Sequence, residues 1–267
     1  MWHMINSSLQ QQLRERFNPE GSMLRRQQLR MLDILLYVDK VCKEHNIRYW
    51  LSSGTLLGAV RHGGFIPWDD DLDIEMLRED YEKFLKVFPE NKDFALQTRH
   101  NDKYYLLPFA KIRDTHSELS EYGNNSNYKF RGIFIDVFCL ESSPRFAYVG
   151  FGVILHGILK LQKHGNGRLT KAMIATTKWL YYGLMAIMKP LLQLFPMKNL
   201  NHLYGCGPRW KSRDIDNIFP LSTKDFEGYE FPAPRDSDAY LRCMFGGYDK
   251  LPNLERLRVH VANCKFL

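Results

Sequence analysis

The sequence predicts an α/β fold: a sheet flanked by helices, with a helical insertion and a C-terminal elaboration. Three observations carry this. A short apolar strand, a small-residue turn and a helix follow one another from Tyr49 to Gly64. Asp71 and Asp73 then alternate with Leu72 and Ile74, the period-2 pattern of a strand with one polar and one buried face. Finally, Asp136 is the single charge in the run Ile133–Phe138, as expected of an interior strand. A chain of 267 residues gives one α/β domain ample core.

In order, residues 1–20 read as a polar leader with weak order. The α/β core is expected over 21–143. It opens with an amphipathic helix over 22–46, whose apolar face is Leu29, Leu32, Leu35, Leu36, Val38 and Val41. Asn46 can end that helix. Tyr49–Ser52 is the first strand, and Ser53-Gly54-Thr55 turns into a helix that Gly63-Gly64 ends. After the acidic strand, Arg78–Phe88 is a helix, closed near Pro89. Phe94–Thr98 and Leu106–Arg113 read as a strand pair joined through His100-Asn101-Asp102. Residues 117–131 read as a polar loop around Gly123-Asn124-Asn125, and Gly132–Leu140 as the next strand.

From 144 to 203 the character changes. Ala147–Leu161 and Met173–Phe195 are apolar, with basic residues Lys163, His164, Arg168 and Lys171 between them. Neither is a clean 20-residue span, and Pro190 interrupts the second. Two readings stay open: a helical insertion packed on the core, or a membrane-facing hairpin with cationic flanks. Residues 204–267 read as a loop-rich C-terminal segment packing on the core. Gly205, Gly207, Pro208, Pro220, Pro232 and Pro234 lie in it, and Asp236 or Ser237 can cap a short helix through Tyr240.

Net charge is +7, favouring anionic partners such as nucleotides, phosphorylated glycans or a lipid surface. No nucleic-acid-binding module is recognisable, and nucleic acid is not an expected partner. Five cysteines without CxxC spacing (Cys42, Cys139, Cys206, Cys243, Cys264) read as reduced thiols of a cytoplasmic protein. The first ten residues lack the apolar core of a signal peptide.

The chemistry concentrates in Asp69, Asp70, Asp71 and Asp73. Carboxylates this dense resist joint ionisation without a counter-charge. A bound divalent cation is the simplest remedy, and hard oxygen ligands suit Mg2+ or Mn2+. Upstream, Ser53, Gly54 and Thr55 offer backbone N–H groups and hydroxyls to an anion at a helix N-terminus. Asp69 and Asp70 either orient the ligands or belong to the Pro67-Trp68 turn. Arg61 binds phosphate or sits at its helix C-terminus for structural reasons, as does His62. Lys111 and Arg113 share a strand face; one neutralises a bound phosphate, or the face is solvated. Trp68 stacks on a base or a cationic head group, or packs the turn. Asp136 is a third metal ligand or the partner of a core arginine. His260 reads as structural.

The stretch SSGTLLGAVRHGGFIPWDDDLDI with REDYEKF, from Ser52 to Phe84, resembles the LicD family of phosphocholine transferases, related to the fukutin-type proteins. Weaker matches cover Phe109–Glu118, Gly132–Phe138 and Phe245–His260. Three positions depart from the pattern: Ser53 where a second glycine is usual, Cys139 where proline is common, and Asn253 where a second proline is common. The resemblance implies a nucleotidyltransferase-like mixed sheet, with Asp71, Asp73 and Asp136 as catalytic, metal-holding carboxylates. It also implies a CDP-linked donor such as CDP-choline, and an acceptor hydroxyl on a cell-surface glycan precursor (lipopolysaccharide, teichoic acid or capsule), lipid-linked in some pathways. Such an enzyme works in the cytoplasm, at the inner face of the membrane if peripheral. The rivals are nucleotidyl transfer from an NTP, or a non-catalytic nucleotide- or glycan-binding member of the fold.

Overall fold

The computed structural model describes residues 5–121, 126–142, 144–164, 168–193, 198–202, 211–257 and 261–267. The expected features at Gly123-Asn124-Asn125, Gly205, Cys206, Gly207, Pro208 and His260 lie outside the described residues.

The chain opens with α1 (Ser7–Phe17), capped by Asn6 Oδ1, which accepts from the Leu9 N–H at 2.8 Å. This corrects the expectation of a weakly ordered leader. Leu13 is buried, and Asn18 donates to Gln28 Oε1 at 2.7 Å. The segment has too few apolar residues to announce itself, but those few are used. α2 (Met23–Glu44) follows, capped by Ser22, and the chain leaves it through Asn46 at φ 51°. Its buried face includes Gln27, Gln28, Met31, Leu35 and Val38, while Leu29 turns outward. β1 (Trp50–Leu51) leads into α3 (Ser53–His62), which stops at Gly63 in the left-handed region, φ 65°. β2 (Asp73–Leu77), α4 (Arg78–Val87), β3 (Phe94–Gln97), β4 (Ala110–Asp114) and β5 (Ser117–Glu121) come next. β2 starts at Asp73, so Asp71 lies in the approach to the strand. β4 starts four residues later than the apolar pattern suggested.

β6 (Phe134–Ser142) is the central strand. It precedes the helical hairpin α5 (Arg145–His164) and α6 (Arg168–Gln193), then β7 (Asn199–Asn201), β8 (Arg213–Asp214) and α7 (Ile215–Ile218). β9 (Ser222–Phe226), β10 (Tyr229–Ala233), α8 (Ser237–Phe245) and β11 (Val261–Phe266) complete the fold. The C-terminal segment is thus richer in structure than its prolines and glycines suggested. Asp236 caps α8 by accepting from the Ala239 N–H at 2.9 Å.

The main sheet runs β1-β2-β6-β4-β3, with β7 added to β6 and β8 to β7. It is mixed: β2 and β6 are parallel, and the remaining pairs are antiparallel. Two expectations fail at its margins. The stretch 117–131 holds β5, which pairs with β11 at the far end of the chain. Residues 199–201, assigned above to the insertion, extend the main sheet. Both pairings are long-range, and the strands they add, β5 and β7, are largely polar, so no local periodicity marks them.

One continuous core joins α2, the buried sheet face and the C-terminal residues Phe226, Phe231, Tyr240 and Leu241. A smaller cluster holds the hairpin down: Phe151, Leu155 and Ile158 of α5 meet Tyr181 and Met185 of α6 over Leu106.

Candidate active site

The site lies on one face of three adjacent strands. Asp73 of β2 is the register partner of Asp136 on β6, and Asp136 is the partner of Lys111 on β4. Partnered positions in a pleated sheet project to the same side, so the three side chains form a row. Lys111 Nζ lies 2.6 Å from Asp136 Oδ1 and 3.2 Å from the centre of the Phe134 ring. Lys111 is buried, as is Arg113, which donates to Gln97 Oε1 at 2.8 Å and the Gly132 carbonyl at 2.9 Å. The solvated-face reading of Lys111 and Arg113 is therefore corrected. Arg113 is a structural residue, and Lys111 faces the carboxylates.

Asp73 is held from both directions. Its N–H donates to Thr55 Oγ1 at 2.8 Å, and the Ser52 N–H donates to its carbonyl at 3.1 Å. Thr55 thus fastens the start of β2 to the first turn of α3. Neither Ser53 nor Thr55 caps that helix. Ser52 occupies the N-cap position without a side-chain capping bond, and its Oγ lies 2.9 Å from the Tyr240 hydroxyl. Ser53 has φ 47°, a left-handed conformation that L side chains resist. A glycine at this position would adopt that conformation without the Cβ penalty.

The Pro67-Trp68 turn delivers Asp69 to the same place. A Cβ on Gly54 would sit 2.7 Å from Asp69 Oδ2, so any side chain here would make this carboxylate draw back from the N-terminus of α3. The turn is held from behind by α2. Gln28 Nε2 donates to the Asp69 carbonyl at 2.9 Å and Gln27 Nε2 to the Asp70 carbonyl at 2.8 Å. Sequence reasoning missed these two glutamines; their signal was amides on the core side of an amphipathic helix.

The electrostatics follow from crowding. Burial, then Asp71 and Asp70, push the Asp69 carboxyl well above the usual carboxylate range, and Asp71 is also its hydrogen-bond partner. Burial, then Asp71, Asp136 and Asp69, do the same to Asp73, opposed by Lys111. Among the described residues, no three His, Cys, Asp or Glu side chains converge as a ready-made metal site. The donor set nevertheless fits a hard divalent cation: oxygen ligands whose mutual repulsion a cation would relieve.

Arg61 and Trp68 stand behind this row. Arg61 is buried; its Nε donates to His62 Nε2 at 3.0 Å and its Nη1 to the Tyr248 carbonyl at 3.3 Å. Burial lowers its affinity for a proton and Asp69 opposes that effect, so the guanidinium lies within electrostatic reach of Asp69. Trp68 makes edge contacts with Phe17, centroids 5.3 Å apart, and with His62 at 6.0 Å. These contacts are those of a packed turn.

A buried charge cluster adjoins the site along β2, and sequence reasoning missed it. Glu75, two residues beyond Asp73 and on the same face, is fully buried. It accepts from Arg213 at 2.7 Å, His202 at 3.0 Å, Trp50 Nε1 at 3.0 Å and the Tyr240 hydroxyl at 2.6 Å. Burial would raise its carboxyl, but Arg213 and His202 prevail and hold it at about 2. Burial and Arg213 depress His202 to about 4 against the pull of Glu75. The cluster clamps the C-terminal segment onto the strand that carries Asp73.

Residues 46–144 match the LicD/FKTN/FKRP nucleotidyltransferase domain. The chain is 29% identical over 258 residues to the lipopolysaccharide cholinephosphotransferase LicD of Haemophilus influenzae, covering 89% of this chain and 95% of that protein. It is 52% identical over 44 residues to human ribitol 5-phosphate transferase FKRP, covering 16% of this chain and 9% of that protein. It is 31% identical over 96 residues to mouse ribitol-5-phosphate transferase FKTN, covering 36% of this chain and 19% of that protein.

Proposed function

We propose, from the premise that the chain belongs to the LicD family and is a LicD-like phosphotransferase, that it moves phosphocholine from a CDP-linked donor to a glycan hydroxyl. The coarser reading, transfer of a phospho-alcohol to a glycan, rests on relatives named for choline phosphate and ribitol phosphate transfer. Phosphocholine is preferred because the cholinephosphotransferase aligns along nearly its whole length.

The observation that carries the mechanism is the row Asp73, Asp136 and Lys111 across three strands. Asp71, Asp73 and Asp136 would hold Mg2+ or Mn2+, with Asp69 orienting them from the end of α3. When bound, such an ion polarises phosphoryl oxygens and offsets charge on the departing CMP. The protein's own groups do the rest. The first turn of α3, at Ser53, Gly54 and Thr55, presents N–H groups to the donor phosphates. Lys111 supplies positive charge beside Asp136, and Asp136 accepts the proton of the attacking hydroxyl. Arg61 adds cationic charge behind Asp69. Trp68 acts from the packed turn and takes no stacking role.

The test is a donor panel of CDP-choline, CDP-ribitol and nucleoside triphosphates with Mg2+ and a glycan acceptor. The expected result is CMP release from CDP-choline. Release from CDP-ribitol alone would replace the alcohol, and pyrophosphate from a triphosphate would replace the reaction by nucleotidyl transfer.

A further inference from the structure

The α5–α6 hairpin is apolar on two faces. Its inner face is accounted for: Phe151, Leu155 and Ile158 pack with Tyr181 and Met185 on Leu106. The Tyr182 hydroxyl donates to the Leu106 carbonyl at 3.1 Å, and the Arg99 guanidinium lies 3.7 Å from the Tyr182 ring centre. Among the described residues, nothing covers the outer face. Met173, Leu180, Leu184, Ile187 and Leu191 recur at intervals of seven, four, three and four, one stripe along α6. All are exposed, Ile187 by 66%, and the neighbouring Trp179 by 74%. Val153 and Ile154 add exposed area on α5. A contiguous apolar surface of this kind marks an interaction site.

The charge pattern says with what. From Ser142 to Arg213 the sequence carries eleven lysines and arginines and no aspartate or glutamate. The whole chain has net charge +7, so the remainder is net acidic and this segment holds all the excess. Lys160 and Lys198 are exposed. The side chains of Lys163, Arg168, Lys171, Lys178 and Lys189 lie outside the described ones, but their places in the sequence put charge along and between the two helices. Among the described residues, no helix is long and apolar enough to cross a membrane.

We propose that this hairpin is a docking surface for an anionic bilayer. It lies in the interface, with Trp179 and the α6 stripe among the acyl chains and the basic residues at the head groups. Anionic lipid complements both features at once. A second copy of this chain complements only the apolar one, because a symmetric contact through this face sets two acid-free basic surfaces against each other. The inference is independent of the transferase reading: it stands or fails on the hairpin alone.

The test is flotation of the full chain with vesicles of phosphatidylcholine alone or mixed with phosphatidylglycerol. The expected result is binding to the anionic vesicles, weakened by salt, together with quenching of tryptophan fluorescence by brominated lipid. Trp179→Ser with Ile187→Ser should weaken binding at least tenfold without shifting the melting temperature, since both side chains are exposed. Lys160→Glu with Lys163→Glu should weaken it by about fivefold per charge removed. If the apolar variant proves unstable, quenching and salt dependence of the unmodified chain still decide. No flotation at low salt, or equal flotation of the apolar variant, overturns the proposal. So does a concentration-dependent dimer, without vesicle binding, that the apolar substitutions abolish; the occupant would then be a second copy.

Discussion

Asp73 and Asp136 sit directly opposite each other on adjacent parallel strands, and Lys111 reaches Asp136 from the third strand at 2.6 Å. A parallel pair places both carboxylates at the same level of the sheet with no turn between them. Their separation in sequence, more than sixty residues, is what the βαβ-like crossover makes irrelevant.

Asp136→Asn should lower kcat by about 10²–10⁴, the usual range for loss of a general base, with the protein folded. Asp73→Asn should be at least as damaging and should also raise the melting temperature of the metal-free protein. The reason is linkage. Burial and like charges hold the folded carboxyl well above its unfolded value of 3.8. Its stabilising contribution is complete below that value and lost as pH rises through the folded one, so at neutral pH the ionised group opposes folding. Turnover assays and melting curves in EDTA check both halves. Full activity in either folded variant would end the assignment.

Ser53 stores backbone strain. At φ 47° a non-glycine residue costs about 1–2 kcal/mol, against about 0.5–1 kcal/mol of extra chain entropy lost by glycine. Ser53→Gly should therefore be neutral to stabilising by about 0.5–1 kcal/mol, and Ser53→Val destabilising by more than about 1 kcal/mol. Denaturant titrations decide, and a valine variant as stable as the glycine one would refute the strain.

Glu75→Gln should destabilise by about 3–5 kcal/mol, because it leaves the buried Arg213 without its anion. Activity should fall with stability, since the amide keeps one acceptor oxygen for donors that now share two, among them Tyr240, which reaches both Glu75 and Ser52. Urea denaturation together with kcat reports this. An unchanged midpoint would mean that the cluster is not a clamp.

The two buried histidines should cost the fold stability from about pH 6.5 downward. His62 is neutral in the structure: Nε2 accepts from Arg61, leaving Nδ1 to donate to Gln10 Oε1 at 2.6 Å. Burial, then Arg61 and Arg14, depress it to about 3 from 6.5, and His202 is depressed to about 4. For a depressed group the stabilisation is present above the unfolded value and lost as pH falls through the folded one. Glu75 adds to the loss between 4.5 and about 2. Asp69 and Asp73, whose carboxyls are pushed up, gain stability over the same window, so the histidine contribution is read as a difference: from pH 7 to 5 the melting temperature of the unmodified chain should drop relative to that of His62→Gln. Parallel profiles in the two proteins from pH 7 to 5 would contradict the assignment.

The sequence by itself determined the elements whose signal is local. α2, α3, α4 and β6 follow from periodicity and punctuation, with Gly63 ending α3 in a left-handed turn. The density of Asp69, Asp70, Asp71 and Asp73 marked the candidate site for the same reason: carboxylates crowded along the chain are crowded in space. Tertiary structure decided what depends on partners distant in the chain. It set Asp73 against Asp136, turned Lys111 inward, spent the Thr55 hydroxyl on Asp73, and brought Asp69 to Gly54. It also made strands of 117–121 and 261–266, and gave Glu75 three buried partners from the last third of the chain. A polar residue announces that it needs a partner once buried, but not which one; only the packed sheet and its crossovers choose.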